Sequence, residues 1–365
     1  MDVTQNKRLQ QLDFLRGIAI LLVLLRHKKL FSFTVTMGWI GVDLFFVLSG
    51  FLVSGLLFKE FQRFGNIKPG LFLIRRGYKI YPIYYLTYFI YTIPFLIKGN
   101  LALDKVLADL FFFQNYYNGW GYTYAASWSL AVEEHFYFGL VLLLWILIAS
   151  KYRGKLMANL AAILTGLMLL VLAVRVVTVW SNEASSVHNI TATHLRIDSL
   201  LMGVLVSYLY YFKLDRLKQV FSKNIRFLGF LSFLLLSFTP FIKIEHSVFI
   251  QTFGFVFLYI AFAIILVYFL LKEGIVSQLN ATFTKPVVKL VSKIGYCSYS
   301  IYVIHTAVNY IFRTGITIYL GLNINPIIIF FSTSTVSVIL GIIMTNTIEA
   351  YFLKLRDKRF PSRSA

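Results

Sequence analysis

What this chain has little of sets its class. It holds one cysteine, Cys297, among 365 residues, so no disulfide can form within it and redox chemistry has no thiol pair to use. Charged residues make up 14% of the chain, where soluble domains carry roughly 25%. Acidic residues are the scarcest of these, 15 against 35 Lys and Arg. No Pro- or Ser-rich linker marks a second domain, and no fixed-period repeat is evident. The few histidines are scattered, with no carboxylate–histidine spacing resembling a ligand set, so no metal site is expected.

What is present is apolar: 58% of residues are hydrophobic. Long apolar runs recur from Phe14 to the neighbourhood of Asn346, separated by short basic loops. That pattern predicts an all-α, polytopic transmembrane helical bundle, because only helices and closed barrels satisfy their backbone in lipid. About ten spans fit, near 13–31, 37–58, 80–98, 130–150, 156–180, 195–212, 225–242, 247–271, 294–312 and 325–348, within a single domain over 1–365. The net charge of +20 would suggest nucleic acid in a soluble chain. Here the basic residues concentrate in alternate loops, as cytoplasmic loops do, so no nucleic-acid partner is expected. The same asymmetry puts both termini in the cytoplasm and makes 349–365 a short basic tail. The N-terminus resembles a signal peptide, but Arg26-His27-Lys28-Lys29 follows its apolar core and no small-residue cleavage site does. It is read as a retained first helix of a multi-pass protein in the cell's inner (plasma) membrane.

Ionisable groups inside these runs are costly, and so are functional candidates. Arg16 and His27 stand eleven positions apart in LDFLRGIAILLVLLRH, roughly 16 Å and three turns along a helix, on nearly one face. A plainer reading makes Arg26 to Lys29 the point where the helix leaves the membrane. Asp43 begins the next run. If the two helices form an antiparallel hairpin, it meets His27 in the outer half of the membrane, the arrangement that orients a histidine for general-base work. A structural ion pair would look the same. Arg75, Arg76 and Lys79 fall within about one turn, suited either to phosphates or to lipid headgroups, and by pattern alone the anchor reading is the stronger. Glu133 and Glu134 are adjacent, so at most one of them faces a site. Arg196, Asp198 and His305 lie within later spans, and Arg175 has no evident partner. Together these groups imply a polar cavity inside the bundle. The aromatic stretch from Leu103 to Trp128 is read as an extracytoplasmic loop with an interfacial or re-entrant part.

Five ordered motifs then resemble those of acyltransferase family 3, over nearly the whole chain. The first-helix pattern D-x-x-R-G-x-A, with a histidine eleven after the arginine, is met by Asp13, Arg16, Gly17, Ala19 and His27. GVDLFFVLSGFL, SWSLAVEEHFY, RIDSLLMG and YSIYVIH follow in order. The family's R-x-x-R-I-x-P is met by Arg76, Lys79, Ile80 and Pro82, with lysine in place of the second arginine, which keeps the charge but loses the planar fork. The resemblance implies transfer of an acyl group, usually acetyl from cytoplasmic acetyl-CoA, to a hydroxyl of an extracytoplasmic carbohydrate such as a cell-surface polysaccharide or glycoconjugate. Arg16, Arg76 and Lys79 would then hold the donor phosphates, His27 oriented by Asp43 would take the hydroxyl proton, and Glu133, Arg196, Asp198 and His305 would shape the cavity. Some members carry an extracytoplasmic esterase-like domain. This chain stops soon after its tenth run, so direct transfer or a separate extracytoplasmic partner is expected. The alternative is a carbohydrate or lipid-linked-sugar exporter, which needs neither CoA nor a base. A positioned base contributes about 10²–10⁴-fold, so His27→Ala is expected to lose turnover by that factor and keep its fold. Acetyl transfer followed beside size-exclusion elution checks both.

Overall fold

A computed structural model describes residues 9–26, 32–181, 186–312, 314–315, 321 and 324–363. Among the described residues every regular element is helical. The principal helices are α1 (Gln10–Arg26), α2 (Ile40–Phe64), α3 (Pro69–Ile97), α4 (Leu103–Leu110), α5 (Trp128–Ala149), α6 (Leu160–Trp180) and α7 (Thr193–Phe212). They continue with α8 (Leu214–Leu236), α9 (Phe255–Leu271), α10 (Ile275–Phe283), α11 (Lys285–Tyr296), α12 (Ser298–Ile311), α13 (Pro326–Met344) and α14 (Ala350–Arg359). Each of the ten runs read from the sequence overlaps one of these helices, except 294–312, which straddles α11 and α12.

Seven helical stretches are long and apolar enough to cross a membrane: Phe33–Phe64, Pro69–Ile97, Ala125–Ala149, Leu160–Trp180, Ser186–Phe212, Ile250–Leu271 and Pro326–Arg359. An eighth is added if α11 and α12, bent by 80° about Cys297, form one span. The protein is therefore a helical membrane protein. Two elements differ from expectation in instructive ways. The run expected at 80–98 begins at Pro69, because the basic stretch before it is helix rather than loop; proline suits a first helical turn, where its missing N–H costs nothing. The segment expected as a short basic tail continues the last helix and docks on the bundle. Arg75 Nη2 donates to Asp357 (2.9 Å) and Arg363 Nη1 to the buried Glu60 (2.8 Å). The last part of the first predicted span, 27–31, lies outside the described residues.

Helix α7 packs along α2 at backbone distance. A Cβ on Gly203 would stand 2.2 Å from the Val47 carbonyl oxygen, and one on Gly50 would stand 2.0 Å from that of Leu200. Small residues allow this approach in membranes, where van der Waals contact between helices replaces the hydrophobic drive. Two ends of the bundle can be distinguished. The basic end carries the C-terminus of α2, the start of α3 and α14. The opposite end is capped by 103–128, folded onto the helices rather than left as an open loop. There the buried Asp109 carboxylate accepts both backbone N–H groups of Tyr122 and Thr123 (3.0–3.2 Å). Burial pushes the Asp109 carboxyl up to about 6, against the pull of those donors. Asn115 reaches across to Thr191 and Thr193 at 3.1 and 2.8 Å.

Overpacking a close contact costs about 1–3 kcal/mol. Gly203→Ala is expected to lower thermal stability in detergent accordingly, whereas Gly229→Ala, which would touch nothing within 4 Å, should cause no loss. Paired thermal melts of the two variants make the comparison.

Candidate active site

Helix α2 presents two stripes. Val42, Phe45, Ser49, Leu52, Leu56 and Lys59 recur every three or four residues along one face. All of them line a cavity of about 440 Å³. Asp43, Val47 and Gly50 follow a second stripe, toward α7. The first stripe makes a wall, and the second sets where that wall stands.

The cavity is closed by α1, α3, α5 and α12. Helix α1 contributes Asp13 and Arg16, α3 contributes Arg76 and Lys79, and α5 contributes Ser129 and Glu133. Tyr302 of α12 and Tyr211 of α7 also line it. It runs from Lys59 at the basic end to Val42 near the opposite end. The three cations that the sequence singled out, Arg16, Arg76 and Lys79, thus share one space. Four cations face it against two carboxylates, so it has an excess of positive charge.

Its polar centre is the Tyr137 hydroxyl. Arg76 Nη2 donates to that oxygen at 2.8 Å, and its guanidinium lies 4.5 Å from the ring centroid. The hydroxyl in turn donates to Glu133 Oε2 at 2.9 Å and sits 3.0 Å from Ser49 Oγ. Arg76 Nε is buried with no hydrogen-bond partner among the described residues, a donor left over in a site that already holds the rest of the guanidinium. Lys79 lies 4.0 Å from Glu349. Glu134, one residue on from Glu133, points away from the cavity and accepts from Tyr81 at 3.0 Å, as two adjacent positions on a helix must diverge.

The remaining site candidates sit elsewhere. Arg196 and Asp198 do not line the cavity and do not pair with each other. Arg196 Nη2 donates to Asp43 Oδ1 at 2.7 Å, and Arg175 Nη1 lies 2.8 Å from Asp198 Oδ2. All four side chains are at most 1% exposed. The Phe255 ring lies against both guanidiniums, at 3.7 Å from Arg196 and 5.4 Å from Arg175. Thus Arg175 has a partner after all, on another helix. Asp43 Oδ2 is buried without a hydrogen-bond partner among the described residues. His305 does not line the cavity either; its Nδ1 lies 2.5 Å from the carbonyl of Tyr302 in its own helix. Since a carbonyl only accepts, that nitrogen carries the proton. His27 lies outside the described residues. Arg26, the residue before it, packs at the start of the α2 region: a Cβ on Gly38 would stand 2.7 Å from the Arg26 nitrogen. With Gly41 against Ala19, the two helices run antiparallel up to that residue.

Reading the sequence does not single out Tyr137, Lys59, Tyr211 or Ser49, all of which line the cavity. The three-and-four spacing of Ser49 with Phe45, Leu52 and Lys59 was the available signal.

Comparison with known proteins adds the family. A family model described as an acyltransferase domain matches residues 9–346. The chain belongs to this acyltransferase family. A Staphylococcus aureus (strain COL) protein that carries a provisional O-acetyltransferase name is 30% identical over 317 residues, covering 81% of this chain and 50% of that protein. A provisionally named peptidoglycan O-acetyltransferase of Bacillus subtilis (strain 168), YrhL, is 28% identical over 284 residues, 72% of this chain and 44% of that one. The peptidoglycan O-acetyltransferase OatA of Listeria monocytogenes is 32% identical over 163 residues, 39% of this chain and 26% of its own. The acyltransferase chain thus spans about half the length of the curated relatives it matches most fully. No solved structure matches it. Among the described residues no group of His, Cys, Asp and Glu could hold a metal.

Breaking a buried ion pair from one side costs about 3–5 kcal/mol. Asp198→Ala should destabilise the acyltransferase by that much, and Arg175→Leu combined with Asp198→Leu should recover most of the loss. Chemical or thermal unfolding of the three proteins tests the pair directly.

Proposed function

We propose that this chain transfers acetyl from cytoplasmic acetyl-CoA to a hydroxyl of an extracytoplasmic cell-wall carbohydrate, with peptidoglycan the favoured acceptor. The observation that carries this reading is the cavity itself. A space walled by Arg16, Lys59, Arg76 and Lys79 against only Asp13 and Glu133 suits an anion with several negative charges, and CoA carries its charge on phosphates at one end. Arg offers forked donors to phosphate and Lys a point charge, and the unpartnered Arg76 Nε is one such donor. The apolar far end, with Val42, Phe45 and Phe46, suits the thioester arm. The names of the Bacillus and Listeria relatives support a peptidoglycan hydroxyl as the acceptor.

In this reading the acceptor oxygen bonds to the acetyl carbonyl carbon while His27 takes its proton. The C–S bond breaks, and the leaving thiolate receives the proton from His27. Asp43 orients the imidazole. Its Oδ1 is held by Arg196, and Oδ2 is the oxygen left for the histidine. A carboxylate fixed in this way selects one tautomer and stabilises the imidazolium that forms. Tyr137 and Glu133 hold Arg76 in place for the donor rather than taking part in proton transfer.

A charge-assisted contact is worth roughly 1.5–3 kcal/mol. Arg76→Ala should therefore weaken acetyl-CoA binding by about 10- to 100-fold, measured by calorimetry on protein in nanodiscs, with His27→Ala binding the donor normally but failing to hydrolyse it. Folded protein with no detectable interaction with acetyl-CoA would overturn the reading.

A further inference from the structure

The residue before the proposed base is gripped from a distant part of the chain. Arg26 closes α1, and its Nη1 donates to the Val35 carbonyl at 2.8 Å, so the described residues on either side of 27–31 are tied to each other. Its Nη2 pairs with Glu245, which sits in the short turn Ile244–His246 before α9.

That turn is itself held. The Gln251 side-chain amide donates to the carbonyls of Ile244 and Glu245 at 3.0 and 3.2 Å. Gln251 Oε1 accepts from Asn189 at 2.9 Å. The next residue, Ile190, gives its carbonyl to Arg196 Nη1 at 2.8 Å, and Arg196 Nη2 holds Asp43. A continuous polar brace therefore links Arg26, the covalent neighbour of His27, to Asp43, the carboxylate proposed to orient it. Gln251 and Asn189 are both at most 5% exposed. The Asn189–Gln251 bond is therefore hard to replace with water, and it anchors the turn whose half-exposed Glu245 holds Arg26.

We infer that Glu245 is a positioning residue for acetyl transfer. Through Arg26 it fixes the described end of α1, the residue to which His27 is covalently joined, relative to Asp43. Glu245 lines no part of the donor cavity, so it acts on the chemical step and not on donor binding. This rests on the acetyl-transfer reading with His27 as base. The mechanism above uses neither Glu245 nor Arg26.

The test is steady-state acetyl transfer by the purified full chain, with kcat and the KM for acetyl-CoA measured separately. A misplacement of about 1 Å costs up to about 100-fold. Glu245→Gln, which keeps the shape and loses the charge, should accordingly lower kcat at least tenfold and leave KM unchanged. Glu245→Asp should restore part of it, and the charge exchange Arg26→Glu with Glu245→Arg should restore more than either half alone. Wild-type kcat in folded Glu245→Gln overturns the inference, as does a parallel rise in KM. If Glu245→Gln does not fold, the Asp variant and the exchange decide between the same two outcomes. His27→Ala run beside them separates the two failures: an active His27→Ala removes the base assignment, while an inactive one beside an unaffected Glu245→Gln removes only the brace.

Discussion

Four charges are buried in an apolar bundle, and the rest of the arrangement follows from how they are neutralised. Asp43, Arg175, Arg196 and Asp198 come from α2, α6 and α7 and close into two pairs. An unpaired ion at this depth would cost several kcal/mol, so α7 has one admissible register between its neighbours. That register puts Gly203 against Val47 and Gly50 against Leu200, the contacts that let the backbones approach. The pairs do not have to add stability over an apolar core to have this effect. They penalise every alternative register in which one charge is stranded.

Fixing one stripe of α2 fixes the other. Once Asp43 and Gly50 face α7, Ser49, Leu52 and Lys59 must face the other way, and that face is the cavity wall. The hydroxyl group at its centre shows the same economy of placement. Tyr137 accepts from Arg76 and donates a hydrogen bond to Glu133, so a cation, a phenol and a carboxylate are satisfied together while one guanidinium N–H stays open. The same helix turn that aims Glu133 inward sends Glu134 to Tyr81.

How much of this could be read from the chain depends on whether the signal was local. Apolar run length placed the long helices, since the bilayer sets that length. Arg16, Arg76, Lys79 and Glu133 stood out because charge is rare in such runs, and they proved to share one cavity. The pairings did not stand out. Arg175 and Asp198 are 23 positions apart, and nothing in either sequence neighbourhood names the other. Arg196 and Asp198 are close in sequence, but two positions apart on a helix point to different sides. Tyr137 and Tyr211 were invisible for a different reason: the chain holds 23 tyrosines, most suited to packing or to the interface, so identity alone could not select these two. The start of α3 precedes its apolar run, because the Arg and Lys residues that interrupt the run are good helix formers.

The contrast between the two sets of buried charges separates support from recognition. In the α2–α6–α7 cluster every cation has its carboxylate, which is the condition for a stable apolar interior. In the cavity, four cations and two carboxylates share one space, and Lys79 reaches Glu349 beyond that lining. On the proposed reading, an anionic donor would answer that local excess of positive charge. That excess would then set the ligand class of the site, while the paired charges behind α2 fix the register of its wall.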